Sequence, residues 1–263
     1  TQNLFFNAGF RFTPAWSVIG GVDYVRSRNS LEVYKDTDYD LKSGEGGVRY
    51  APGTGIEVDL VYRATSGEYK SAQRYGDDGS ALLCNNNCRK NDYDEDSLQA
   101  RVQYRPSEDS SLGGFVGYTR RDYDQGNRHF RGLTAGFDTE WAVSGAVQMR
   151  ASLGRSIEPD DDAVTGSYAD TWSLNFSPTI QATGKITVEP YLRFYDRRYK
   201  GDQLAAGQVE RKDKIYMVGA EADYEFRRNM FLMASISREQ RDSNRANLDY
   251  KANVFGLGLK VQF

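Results

Sequence analysis

Apolar residues occupy every second position in segment after segment of this chain, and that period decides what it can fold into. In TWSLNFSPTIQ, Trp172, Leu174, Phe176, Pro178 and Ile180 share one parity, and Ser173, Asn175, Ser177, Thr179 and Gln181 share the other. ITVEPYLRFYD sets Ile186, Val188, Pro190, Leu192 and Phe194 against Thr187, Glu189, Tyr191, Arg193 and Tyr195. YMVGAEADYEF, LQARVQYR and the final NVFGLGLKVQF alternate in the same way. Successive side chains of a strand point to opposite faces, whereas a helix would need apolar residues at i, i+3 and i+4. The chain is therefore expected to be all-β.

The connections alternate as well. Short turns fall near Pro14–Ala15, Pro52–Gly55, Pro106–Ser110, Val143–Gly145, Thr183–Lys185 and Arg228–Asn229. Long polar loops fall near 27–38, 66–94, 122–131, 156–169, 196–212 and 238–250. About thirteen strands result, near 3–13, 16–27, 38–51, 56–66, 95–105, 111–123, 131–142, 146–156, 170–182, 186–197, 212–227, 230–240 and 251–263. The third loses its phase around Gly44 to Gly47, where a bulge or a missed turn is expected. Neither a capped helix nor a linker interrupts the pattern. Residues 1–263 read as a single domain, an antiparallel sheet with up-and-down connections.

A β-sandwich is the alternative, but it would not sort its loops by length. Short turns at one rim and long loops at the other match a bacterial outer-membrane barrel. Aromatic placement agrees. On the apolar parity, Phe12, Trp16, Tyr50, Tyr104, Trp141 and Phe226 lie beside short turns, and Tyr24, Tyr62, Tyr118, Trp172 and Phe194 lie nearer the long loops. Two aromatic belts around a middle of Val, Leu, Ala and Gly are what lipid–water interfaces select. Composition alone would mislead. Mean hydropathy is −0.69, and no stretch approaches the roughly 20 apolar residues of a membrane helix. The 34 basic and 37 acidic residues nearly balance, which argues against a nucleic-acid partner. The outer membrane of a Gram-negative bacterium, with its lipid and lipopolysaccharide, is the expected setting.

Thirteen strands would bring the first and last together in parallel, whereas single-chain bacterial barrels have even counts. At least one more strand is expected, preceding residue 1 or supplied by a partner, giving fourteen or more.

The other parity is charged. It holds Arg11, Asp23, Glu57, Asp59, Arg63, Arg101, Arg105, Asp138, Glu140, Arg150, Glu189, Arg193, Glu221, Asp223, Glu225 and Lys260, with Tyr191 and Tyr195 among them. Ionised side chains need water or one another, so these residues are expected to line the lumen. They would form a polar conduit suited to hydroxyl-rich solutes, an internal salt-bridge lattice, or both. Their mixed sign argues against a strongly ion-selective ring. Glu221, Asp223 and Glu225, at i, i+2 and i+4, are expected to form a local pairing cluster with Arg193 nearby.

Catalytic chemistry is scarce, and no enzyme is expected. The single histidine, His129, sits in QGNRHFRG and reads as a solvated loop residue. Cys84 and Cys88 in LCNNNCRK have a loose metal spacing with no second pair, so a local disulfide is expected rather than zinc. EPDDDA and DYDEDS lack an EF-hand pattern and read as solvated acidic loops. No metal site or cofactor is expected.

The C-terminal stretch YEFRRNMFLMASISREQRDSNRANLDYKANVFGLGLKVQF resembles the β-barrel porins associated with extracellular polysaccharide biosynthesis, the EpsL-like family. A turn, an apolar strand, RDSN, a spacer, DYKAN and an aromatic-ended strand carry the likeness. LTAGFDTEWAVSGAVQMRASLGRS and NFSPTIQATGKITV fit the same strand-pair style. The resemblance covers roughly the last half, and the first half only in architecture. It implies an outer-membrane pore passing a secreted polysaccharide and working with periplasmic export or synthesis proteins. A general or small-solute porin and a non-transporting, salt-bridged barrel are the alternatives. The terminal Phe263 also resembles the signal by which barrel-assembly machinery recognises its clients.

Overall fold

The computed structural model describes residues 1–31, 35, 37–71, 91–124, 129–159, 168–200 and 209–261. Their regular structure is fourteen strands: β1 (Gln2–Arg11), β2 (Trp16–Ser27), β3 (Tyr39–Tyr50), β4 (Ile56–Tyr69), β5 (Tyr93–Ser107), β6 (Ser110–Tyr123), β7 (His129–Ser144), β8 (Val147–Pro159), β9 (Tyr168–Phe176), β10 (Thr179–Thr183), β11 (Ile186–Lys200), β12 (Lys212–Arg227), β13 (Met230–Ser243) and β14 (Tyr250–Val261). All belong to one antiparallel sheet whose spatial order follows the chain. The exception is β9 and β10, two pieces of one crossing between β8 and β11. The break has a chemical cause. The pairs Leu192↔Phe176 and Ile180↔Val188 put Pro178 opposite Pro190, and neither ring has an N–H to complete that rung. Fourteen strands thus make thirteen crossings, as the alternation predicts. Among the described residues, the hydrogen-bonded order runs from β1 to β14 without joining them.

Six connections at one rim are two to five residues long. Left-handed backbone supports two of them: Gly53 and Gly55 in the five-residue turn have φ of 85° and 78°, and Asn229 in a two-residue turn has 62°. At the opposite rim the strands run further into the long connections than the alternation suggests. β4 continues to Tyr69, β5 begins at Tyr93, and His129 opens β7 instead of lying in a loop. Cross-strand pairs extend the ladder there, including Lys42 with Glu68 at 2.9 Å and Lys70 with Asp40 at 2.7 Å.

β3 corrects another expectation. It pairs in continuous register with β2 and β4, with neither bulge nor turn. Its phase looked lost because Gly44 and Gly46 occupy outward positions where other strands carry an apolar side chain.

Burial runs opposite to that of a soluble protein. Along β4, outward Leu60 and Tyr62 are 55% and 52% exposed, while inward Asp59 and Val61 are 6% and 0% exposed. Polar side chains therefore fill the concave face and apolar ones cover the convex face. Aromatic residues rim that convex surface at both levels, with Trp16 and Tyr50 4.9 Å apart and Phe194 and Tyr216 5.1 Å apart. The chain is an inside-out β-barrel sheet, apolar toward lipid and polar toward its axis.

Candidate functional site

Register places all the lumen candidates on the concave face. Arg11, Asp23, Glu57, Asp59, Arg63, Arg101 and Arg105 lie on it in β1, β2, β4 and β5. Asp138, Glu140, Arg150, Glu189, Tyr191, Arg193 and Tyr195 lie on it in β7, β8 and β11, and Glu221, Asp223, Glu225 and Lys260 in β12 and β14.

Some of these residues come together. Arg63 on β4 reaches Asp23 on β2 at 2.8 Å and Glu45 on β3 at 3.4 Å. Arg101 on β5 reaches the same Glu45 at 3.1 Å and Gln99 at 3.1 Å. Arg49 donates two 2.8 Å bonds to Asp59 and lies 3.0 Å from Glu57. Contacts that skip a strand require a concave surface, so the lattice records the curvature of the sheet. Arg49 and Glu45 were not among the sequence candidates because they sit on the glycine-rich strand whose phase was obscure.

Further round, Glu140 and Arg150 are 3.5 Å apart, and Arg150 also donates to Gln148 at 3.2 Å. Beside them opens a recess of about 300 Å³ lined by Ser111, Asp138, Glu140, Arg150, Ser152, Asn175 and Ser177. Asp138 forms no ion pair among the described residues. Its carboxylate leans over Gly113, where an added Cβ would stand 2.6 Å from both oxygens.

Tyr191 and two further aromatics on the polar face have a packing role. Tyr191 faces Gly219, Tyr93 faces Gly67, and Phe115 faces Gly136, each pair directly opposite across adjacent strands. In each pair the ring fills the space a Cβ would occupy, with closest approaches of 2.4–2.6 Å. Arg193 stacks over Tyr191, 4.6 Å from the ring centroid. It pairs in register with Met217, while Glu221 faces Glu189. The expected pairing of Arg193 with the acidic cluster is therefore absent, because the two lie several residues apart along their ladder. Glu221 and Asp223 have no ion-pair partner among the described residues; Glu189 accepts from Thr179 at 3.2 Å.

The long-loop end is packed. Tyr39, Tyr69, Tyr93 and Tyr123 stand on the concave parity of four successive strands, and the last three are buried. Arg121 is buried among them, 2.6 Å from Glu95 and 4.1 Å from the Tyr93 centroid. Burial raises the Tyr93 hydroxyl above its ordinary pKa. Arg211 and Asp213, fully buried, form a second pair at 2.6 Å. DYDEDS is thus largely strand, and Glu95 is paired instead of solvated. The sequence did carry a signal: a tyrosine recurs at the loop-side end of each of these strands. By contrast, Glu140 and Arg150, toward the short turns, remain about half exposed. Cys84, Cys88, Phe263 and most of EPDDDA lie outside the described residues.

No curated protein matches the chain. Among solved structures, it is similar to the copper transporter OprC at 10% identity and a TM-score of 0.60, covering 99% of this chain and 49% of that one. It is also similar to the chain of the FpvAI–pyocin S2 complex at 11% identity and a TM-score of 0.53, covering 99% and 42%. This chain spans about half the length of those proteins or less, and the likeness is one of fold. The family model described as "Putative beta-barrel porin 2" matches residues 111–263. A porin with this lipid-facing surface resides in the outer membrane of a Gram-negative bacterium. More than half of the chain carries that match, and the chain belongs to this β-barrel porin family.

Proposed function

We propose that the protein is a pore through which a secreted polysaccharide leaves the periplasm, with no catalytic step of its own. The observation carrying this reading is the chemistry of the concave wall. Carboxylates, guanidinium groups, amides and hydroxyls alternate there without a ring of one sign, and the recess at Asp138, Asn175 and Ser177 offers donors and acceptors together. Hydroxyl-rich chains need such mixed partners, whereas selective ion passage needs a single-signed ring. The resemblance of the C-terminal stretch to polysaccharide-associated porins points the same way. On this reading the short-turn rim, where the polar face is open, meets periplasmic export or synthesis proteins, and membrane lipid and lipopolysaccharide surround the convex face. Deleting the gene tests it. Secreted polysaccharide should fall to background while uptake of small solutes is unchanged. Unchanged secretion would overturn the proposal, and loss of small-solute uptake alone would favour a general porin.

A further inference from the structure

The apolar belt of the convex face is interrupted on β13. The pairs Leu192↔Phe176, Leu192↔Val218 and Val218↔Arg238 carry one row across β9, β11, β12 and β13. Phe176, Leu192 and Val218 hold its first three places and are 41%, 47% and 53% exposed. An arginine holds the fourth. The adjoining row toward the short turns is wholly apolar, with Pro190, Ala220, Ile236 and Phe255. The adjoining row toward the long loops carries the aromatic pair Phe194 and Tyr216. Arg238 therefore stands on the lipid side, between the apolar belt and its aromatic girdle. Beside it opens a recess of about 360 Å³, walled by Leu192, Phe194, Tyr216 and Val218, with Arg238 and Gln240 along its β13 side. Further polar groups adjoin that side. Asn253 on β14 lies directly opposite Arg238, and Lys251 lies opposite Gln240, diagonal to Arg238. Neither Arg238 nor Lys251 has an ion-pair partner among the described residues. Asp242, the one acidic residue of this parity on β13, accepts from Gln240 at 2.8 Å.

We propose that this recess is a docking site for the lipid A part of lipopolysaccharide, an acylated disaccharide bearing phosphates. A cation on a lipid-facing surface is costly unless it reaches the headgroups or meets an anion there. A guanidinium matches a phosphate through two parallel hydrogen bonds. Arg238 and Lys251 hold the phosphate, Gln240 and Asn253 hydrogen-bond the sugar, and an acyl chain lies against Leu192, Val218 and Tyr216. Charge complementarity calls for an anion, and the apolar walls call for one attached to acyl chains. The side of the membrane selects among such lipids: long loops mark the outer rim of a bacterial barrel, and lipopolysaccharide occupies the leaflet at that rim. The site rests on the outer-membrane setting and not on the pore reading, so either can fail alone.

Native mass spectrometry of the full chain folded in detergent micelles tests it, with a heat-shift gel to establish that each variant folds. The protein is titrated with diphosphoryl lipid A, with the same lipid stripped of its phosphates, and with phosphatidylglycerol. Diphosphoryl lipid A should bind more tightly than either of the others. Arg238→Gln should raise its Kd by about tenfold, the loss expected for one charge-assisted contact. Val218→Trp, which fills the recess and leaves Arg238 in place, should weaken binding by a similar factor and serves if Arg238→Gln fails to fold. Arg120→Gln should leave the Kd unchanged, since that convex-face arginine is already paired with Asp122. Equal Kd for the parent, Arg238→Gln and Val218→Trp would overturn the site. So would an equal loss in Arg120→Gln, which would mean general attraction to surface charge. Phosphatidylglycerol binding as tightly as lipid A would overturn the assignment to lipopolysaccharide.

Discussion

Arg63 and Arg121 are both inward-facing arginines with carboxylate partners, yet their surroundings give them different weights. Arg63 shares Asp23 and Glu45 in a wall open to water, with its side chain about one-third exposed. Pairs of that kind contribute about 1 kcal/mol or less, so Arg63→Ala should leave stability nearly unchanged. Arg121 is 6% exposed, and its removal leaves the half-buried Glu95 carboxylate, 19% exposed, without its partner. Arg121→Ala should cost about 3 kcal/mol or more. Denaturant unfolding in lipid vesicles separates the two, and equal losses would refute the distinction. Parity revealed which residues face inward, but partnership was not legible. Arg193 and Glu221 sit on adjacent strands of the right parity, and only the stagger of the ladder shows that they do not meet. Tyr191 likewise read only as a lumen-lining ring, because its cover over Gly219 depends on a cross-strand register that no local pattern encodes.

At the scale of elements, each strand has one face answering to lipid and one to water. Leu60→Arg on the lipid face of β4 should cost about 2–4 kcal/mol. Asp138→Asn on the concave face, with no ion pair among the described residues to lose, should change stability by about 0.5 kcal/mol or less. Vesicle unfolding checks both. The loop-side ends of β3 and β4 depend on pH. The hydrogen bond from Lys70 holds the Asp40 carboxyl below its ordinary pKa, and the hydrogen bond from Lys42 does the same for Glu68. A carboxylate with a depressed folded-state pKa stabilises fully above its unfolded value and loses that contribution as pH falls through the folded one. Protection of the amides at Tyr39–Lys42 and Glu68–Lys70, taken relative to the intrinsic exchange rate at each pH, should therefore fall below the ordinary carboxylate range and stay level between pH 6 and 8, as expected for groups with unperturbed values of about 4. Strand number and turn positions were legible here because period two survives along most of the chain. Two failures share a cause, residues without the usual marker. Glycines hid the phase of β3, and the facing pair Pro178 and Pro190 split a crossing whose alternation is unbroken.

For the whole molecule, thirteen crossings place an apolar belt outside and a charged wall inside, which is the arrangement of an outer-membrane porin. The bore is asymmetric. Its wall is exposed toward the short turns and packed with tyrosine and arginine toward the long loops. Long-loop packing was the least legible feature, because it joins residues on strands separated by loops of up to 23 residues, between β4 and β5. Everything proposed about transport requires water to wet one face of each strand and lipid to cover the other. The most direct measurement is thiol labelling along β7 in lipid bilayers, on Cys84→Ser and Cys88→Ser protein carrying single substitutions Phe137→Cys, Asp138→Cys, Thr139→Cys or Glu140→Cys. A small charged maleimide should react quickly at positions 138 and 140 and slowly at 137 and 139. Uniform reaction along the strand, or the opposite alternation, would contradict a water-lined polar face.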